Sequence, residues 1–376
     1  MPHWLNEADC KTVLRSLLSA ELAAYRKTPA PDWHTLPTID SLERLHLAAC
    51  TNEFFCLHET GVEDRLLMTP NFDDWASIVA QAINDTSGLT FRTSGSTGSP
   101  SAHLHRWADI EAEADALAHR FASRMPINRV ISWLPLHHLY GFMLGIALPK
   151  VASIPCINVE NAALPSLSSG DLLVTIPPRW DYLATSRNIW PANVMGVTST
   201  APMSVATSMT LRDRGLTGLL DIYGSTETGG VATRWHQEEP YRLLAHWKNV
   251  DAQHIRRADG HTTTPLLDNV HWYDEHTFTL QGRHDDVVVV GGVNVSPQHV
   301  AQQLRALESV AECAIRTTGP AAKLRLKAFV VPQNSQQETA DAIAQATALW
   351  PAAERPVQIN YGDALPTNAM GKLTDW

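Results

Sequence analysis

Leu89-Thr90-Phe91-Arg92-Thr93-Ser94-Gly95-Ser96-Thr97-Gly98-Ser99-Pro100 runs from a short strand-like stretch into a loop of small, hydroxyl-bearing and turn-forming residues. A helix is expected after it, with Ile110, Ala114, Leu117, Ala118 and Phe121 on one face. Backbone amides and hydroxyls crowded into such a loop can wrap the oxygens of an anion. It is not a P-loop, because the Gly-Lys pair of G-x-x-x-x-G-K-[ST] is absent. By itself the loop reads equally well as a linker, so its neighbours decide.

Working outward, strands are expected at Val130 to Leu134, Leu172 to Ile176 and Leu219 to Tyr223, alternating with helical segments. That alternation predicts an α/β fold with layered sheets and helices. Ahead of it, residues 1–84 read as mostly helical. One helix covers Glu7 to Arg26, Pro29, Pro31 and Pro37 impose a loop, a second helix starts at Ser41 with Asp40 as N-cap, and a third covers Phe72 to Ile83. Residues 85–282 form the core. Residues 283–376 form a small α+β module: a valine run from Val287 to Val290, a helix opened by Ser296-Pro297, strands at Ala311 to Arg316 and Leu324 to Val331, and a helix from Glu338 to Leu349.

Composition narrows the function. The chain has 376 residues, 44% apolar and 18% charged, enough to bury a sizeable core. Lys and Arg number 29 against 39 Asp and Glu, a net charge of −10, so duplex nucleic acid and anionic membrane surfaces are not expected partners. Cys10, Cys50, Cys56, Cys156 and Cys313 are scattered without a C-x-x-C pair, which indicates neither a disulfide framework nor a thiolate zinc site. No signal peptide or spanning segment is read, and a cytoplasmic location is expected.

Two further motifs follow strands: Pro135-Leu136-His137-His138-Leu139-Tyr140-Gly141 and Asp221-Ile222-Tyr223-Gly224-Ser225-Thr226-Glu227. Asp268, Gly282-Arg283, Asp286, Gly292 to Pro297, and Pro366 through Gly371-Lys372 come after them in order. With the first loop, this series resembles the adenylate-forming superfamily of acyl-CoA and aryl-CoA synthetases, over about Leu89 to Lys372. The resemblance implies ATP-dependent activation of a small, aromatic or short carboxylic acid as its acyl-adenylate. The acyl group would then pass to the thiol of CoA or of a carrier-protein phosphopantetheine, with Mg²⁺ as the metal.

The resemblance also implies roles. Thr93, Ser94, Gly95, Ser96, Thr97 and Gly98 would hold the ATP phosphates, Thr226 the α-phosphate and Glu227 the Mg²⁺. Tyr223 would pack by adenine, and Asp268 would take the ribose hydroxyls with Arg283 beside it. His138 would orient the acid, and Lys372 would bridge its carboxylate to the α-phosphate. Asp286 would be the hinge of a mobile C-terminal module. Acid specificity would lie near His137 to Leu144 and Val197 to Met203.

Departures are visible as well. Ser101 stands where most members carry a lysine after the proline, so a cation at the pyrophosphate is missing unless His103, His105 or Arg106 replaces it. The region ahead of the phosphate loop is short for the family. Around Asp40-Ser41-Leu42 it faintly resembles an acyl carrier protein, which would make Ser41 a phosphopantetheine attachment point; the other reading is a plain helix cap. A catalytically weakened nucleotide- or carrier-binding scaffold is the alternative function.

Overall fold

The computed structural model describes residues 5–28, 38–92, 101–160, 162–186, 189–260, 262–283, 288–290, 293–319 and 324–376. They divide into two compact units, Met1–Lys248 with Arg257–His261, and Asn249–Arg256 with Thr262–Trp376.

The first unit begins with helices whose ends are written in the sequence. In α1 (Glu7–Arg26), Asn6 accepts the Asp9 N–H and Asp9 accepts the Asn6 N–H, closing a capping box, while Val13, Leu14, Leu17, Leu18 and Leu22 are buried. Helix α2 (Ser41–Phe55) starts the same way: Asp40 accepts from Leu42 and Glu43 N–H, and Glu43 accepts from Asp40 N–H. A bidentate Arg26–Glu43 pair ties α1 to α2, with contacts of 2.6 and 2.7 Å. Helices α3 (Glu63–Met68) and α4 (Phe72–Ala82) complete this layer. Residues 1–84 thus belong to the same compact unit as the sheet.

Strands β1 (Gly88–Arg92) and β2 (Ala102–Arg106) form an antiparallel hairpin in which Leu89 faces His105 and Phe91 faces His103. The sequence reading ran from the small-residue loop straight into a helix. Ala-His-Leu-His-Arg has no β-branched residue to announce a strand, and β2 is held by its pairing with β1. Helix α5 (Trp107–Ala122) follows.

The main sheet has strands β3 (Arg129–Ser132), β4 (Cys156–Asn158), β5 (Asp171–Val174), β6 (Met195–Thr198) and β7 (Gly218–Ser225), parallel in the order β4-β3-β5-β6-β7. Antiparallel β8 (Gly229–Arg234) and β9 (Tyr241–Leu243) extend it beyond β7. Strands β5 and β6 are buried at every position, as expected of parallel strands covered on both faces. A cluster of Leu173, Trp180, Trp190, Val194, Leu211 and Leu219 packs together, with Trp180 and Trp190 ring centroids 5.8 Å apart.

One helical run escaped the sequence reading. Leu139–Ala152 is continuously helical although it contains Gly141, Gly145 and Pro149, and Met143–Ala147 within it is wound as a π-helix. Burial of Phe142, Met143, Leu144, Ile146 and Leu148 overrides the poor propensity.

In the second unit, Asp268–Trp272 and Thr277–Arg283 form an antiparallel hairpin, and Val288–Val290 pairs with Val293–Val295. Val310–Thr318 lies antiparallel to Arg325–Pro332, which pairs in parallel with Pro356–Tyr361. Helices Pro297–Arg305 and Gln336–Ala348 supply Leu304 and Ile343 to a core with Val310, Cys313 and Val330. Among the described residues no helix is long and apolar enough to cross a membrane.

Candidate functional site

In open parallel sheets, ligands collect outside the carboxyl ends of the strands. The first unit places the sequence motifs there. Trp133 to His138 leave β3, Thr175 follows β5, Ser199 and Thr200 follow β6, and Tyr223 to Ser225 end β7 just before Thr226 and Glu227. Ser132, Thr175 and Thr198 are fully buried at these ends, and their hydroxyls have no hydrogen-bond partner among the described residues.

The turn from β7 to β8 is pinned from behind by side chains that sequence reading did not single out as a group. His105 Nε2–H donates to the Thr226 carbonyl at 2.7 Å. Arg257 donates to the Thr228 carbonyl at 3.1 Å and pairs with Asp109 at 3.6 Å. His246 Nε2–H and Trp247 Nε1–H converge on the Gly230 carbonyl at 3.1 and 2.9 Å. Glu113, 4% exposed, accepts the Gly230 N–H.

Gly229 has φ +75°, and a Cβ there would lie 2.3 Å from Glu113 Oε2, so any other residue would be strained and would have to displace the Glu113 carboxyl. Burial pushes the Glu113 carboxyl up to about 7, against the Gly230 N–H and Arg257, which hold it down. Burial likewise lowers the imidazoles of His105 and His246, the latter to about 3. Both rings are therefore neutral donors at pH 7. The signal that could have found them is chemical: polar residues at strand and helix positions that the apolar pattern requires to be inward.

This backing leaves Thr226 half-buried and turns Glu227 outward. The Glu227 carboxylate is 3.9 Å from His103 Nε2, which also bonds Ser101 Oγ at 2.8 Å. His105 is spent on the Thr226 carbonyl, so of the two histidines His103 is the one that faces Glu227. An outward carboxylate offers hard oxygen ligands of the kind Mg²⁺ takes together with phosphate oxygens. Tyr223 lies at the same strand end, its ring 5.7 Å from that of Tyr241.

At the end of β3, His138 occupies the N-cap position of the helix that begins at Leu139, and its ring lies 4.3 Å from that of His137. Ser16 of α1 reaches this corner: its Oγ accepts from Leu136 N–H at 3.0 Å, donates to Glu160 at 3.2 Å and contacts His137 Nδ1 at 2.9 Å. The hydroxyl has one proton. With it directed to Glu160, His137 Nδ1 is the donor and its Nε2 is left to accept. Burial holds the His137 ring well below the usual histidine range, and it is neutral. Gly141 is required by close approach, because a Cβ would lie 2.0 Å from the Pro135 carbonyl oxygen. Tyr140 donates to the Thr175 carbonyl at 3.1 Å, joining this corner to the end of β5.

In the second unit, Asp268 and Arg283 are cross-strand partners, so the pair expected at the ribose does share one register position. Lys372 sits in a tight turn built on Asn368. The Asn368 side chain accepts from Met370 and Lys372 N–H, both at 3.0 Å, and its own N–H donates to the Lys372 carbonyl at 2.8 Å. Arg316 donates to the Leu373 carbonyl at 2.6 Å, anchoring the turn to the sheet. Thr93 to Gly98 and Asp286 lie outside the described residues, as do Gly291 and Gly292. Ser41 is exposed as the first residue of α2, beside the Asp40 cap.

A family model described as AMP-binding enzyme matches residues 1–270. A 4-coumarate–CoA ligase of Halorhodospira halophila is 44% identical over 395 aligned positions, covering 98% of this chain and 99% of its own. One from Rhodobacter capsulatus is 34% identical, covering 94% of each. Among solved structures, ATP-bound MatB from Rhodopseudomonas palustris matches with a TM-score of 0.58 at 16% identity, over 98% of this chain and 91% of that one. The O-succinylbenzoate–CoA synthetase of Bacillus subtilis, with ATP and magnesium, matches at 0.56 and 15%, over 97% and 92%. At such identities these two show a common fold. The family match and the two near full-length relatives together place this chain in the AMP-binding enzyme family.

Proposed function

We propose that the protein is an AMP-forming acid–CoA ligase that activates a small aromatic acid of the 4-coumarate type. The observation that carries the reading is the end-to-end likeness to 4-coumarate–CoA ligases. The rigidly backed Thr226–Gly230 turn and the His137–His138 corner, each following the carboxyl end of a strand of the first unit, are consistent with it. The substrate carboxylate attacks the α-phosphorus of ATP, pyrophosphate leaves, and the mixed anhydride is then opened by a thiol with loss of AMP.

Each residue has a task in that scheme. Thr226 takes the α-phosphate at the mouth of the clamped turn. Glu227 is the residue to hold Mg²⁺, which when bound neutralises phosphate charge. Tyr223 packs by adenine, and Asp268 with Arg283 receives the ribose. His138 orients the acid, Lys372 bridges its carboxylate to the α-phosphate, and the loop from Thr93 to Gly98 wraps the outer phosphates. Asp286 is the pivot for the module that carries Lys372. CoA is the acceptor favoured by the relatives' names, and a carrier phosphopantetheine, including one on Ser41, is the acceptor to exclude.

Pyrophosphate exchange over a panel of acids tests the reading. Exchange should be strongest with hydroxycinnamates and near background with long-chain fatty acids. ATP binding without exchange for any acid would instead identify a scaffold. CoA consumption should follow, and an unshifted intact mass after treatment with a phosphopantetheinyl transferase would remove Ser41 from the acceptor list.

A second expectation concerns Ser16. Its loss leaves the His137–Glu160 corner without its bridge, at a cost of about 1 kcal/mol, or roughly fivefold. Ser16→Ala should therefore raise the KM for the acid by about that factor and leave the KM for ATP unchanged. An equal rise in both constants would assign Ser16 to packing only.

A further inference from the structure

Outside the ligase site, α1 and α2 bring together a set of donors that the sequence spacing conceals. His46 and Cys50 are one helical turn apart on α2, and Glu21 projects from α1. His46 Nε2 is 3.3 Å from Glu21 Oε2 and 3.8 Å from Cys50 Sγ, and one ligand atom from each residue falls within 4.8 Å of the other two. The thiol comes from inside, at 6% exposure, while the imidazole and carboxylate are 32% and 22% exposed and open a path for an ion.

We propose that Glu21, His46 and Cys50 form a binding site for Zn²⁺, with water as the fourth ligand. Thiolate, imidazole and carboxylate are the donors this borderline-soft ion takes. Tetrahedral Zn²⁺ at ordinary bond lengths sets ligand edges of about 3.3 Å for N···O and about 3.5 Å for S···N. The first edge is already present, and the second closes with a shift of a few tenths of an ångström. The absence of a C-x-x-C pair does not count against the site, because it uses one thiolate.

Binding is a simple exchange: the Cys50 S–H bond breaks, the sulfur–zinc bond forms, and the proton goes to solvent. Burial, together with the charge and hydrogen bond of Glu21, pushes the free thiol up to about 12, with Glu53 raising it further and Arg92 opposing. The bound ion would staple α1 to α2. The proposal rests on these two helices and is independent of the ligase reading.

Chelator-treated full-length protein is titrated with Co²⁺ as a spectroscopic probe. One equivalent should produce a thiolate-to-metal charge-transfer band that Zn²⁺ then displaces, and Zn²⁺ should raise Tm. Cys50→Ser should abolish both effects. Glu21→Gln, at a partly exposed position, should weaken Zn²⁺ binding by at least about tenfold, and it serves as the deciding variant if Cys50→Ser fails to fold. Absence of the band in the wild-type chain, its survival in Cys50→Ser, or unchanged affinity in Glu21→Gln would each overturn the site.

Discussion

Lys372→Ala is expected to slow acyl-adenylate formation by about 10²–10³-fold while ATP binds nearly as tightly as before. The reasoning is electrostatic. A carboxylate and the α-phosphate are both anions, and unit charges ~4 Å apart repel by ~4 kcal/mol at an effective dielectric of ~20. A cation that meets both only as they react lowers the barrier without contributing much to ground-state binding. The Asn368 turn fixes the backbone at this position, and Arg316 fixes the turn, so the substitution should remove the ammonium and leave the loop in place. Lys372→Arg should restore little, because a planar fork does not replace a compact point charge. Pyrophosphate exchange and equilibrium nucleotide binding separate the two effects. Exchange at the wild-type rate would remove Lys372 from the chemistry.

Glu113→Gln is expected to change the shape of the stability curve with pH. Folded Glu113 titrates near 7, against an ordinary value of 4.5. Between those values the native chain holds a proton that the unfolded chain has lost, so wild-type stability falls as pH rises from about 4.5 to about 7 and is then level. A shift of that size corresponds to a drop on the order of 3 kcal/mol. Glutamine can still accept the Gly230 N–H and has no proton to lose. Urea midpoints for the variant should lack this decline, and at pH 8 it should be at least as stable as the wild type. A parallel decline in both proteins would show that Glu113 is not the group responsible. The same turn carries Thr226 and Glu227, so the wild-type KM for ATP should also drift across this interval and that of the variant should not.

The elements that sequence patterning located share a property: their own residues specify them. Helix α1 declares its start through Asn6 and Asp9 and its buried face through leucines at helical spacing. Strand β5 is announced by the apolar run Leu172-Leu173-Val174. What escaped depends on partners distant in the chain. Strand β2 exists because β1 pairs with it, and the helix through Gly141 and Pro149 exists because its apolar side chains are buried. The candidate residues divide in the same way. Thr226, Glu227, His138 and Lys372 stand in short motifs and could be named as candidates, whereas His105, Glu113, His246 and Arg257 converge from separate segments on one peptide turn. Their roles are legible only once the chain has closed on itself. The cysteines repeat the lesson, since Cys50 acquires its neighbours His46 and Glu21 through helix geometry rather than spacing.

The wide winding at Met143–Ala147 means that this helix carries a surplus residue relative to the number of turns it makes. Deleting one residue there would retighten the coil to an α-helix and keep the histidine pair in phase with Leu148–Ala152, whereas a deletion in the flanking α-helical turns would rotate the two by about 100°. Point substitutions along the stretch leave the phase untouched. The stretch is therefore the place where this helix can lose a residue without turning the histidines away from the sheet end.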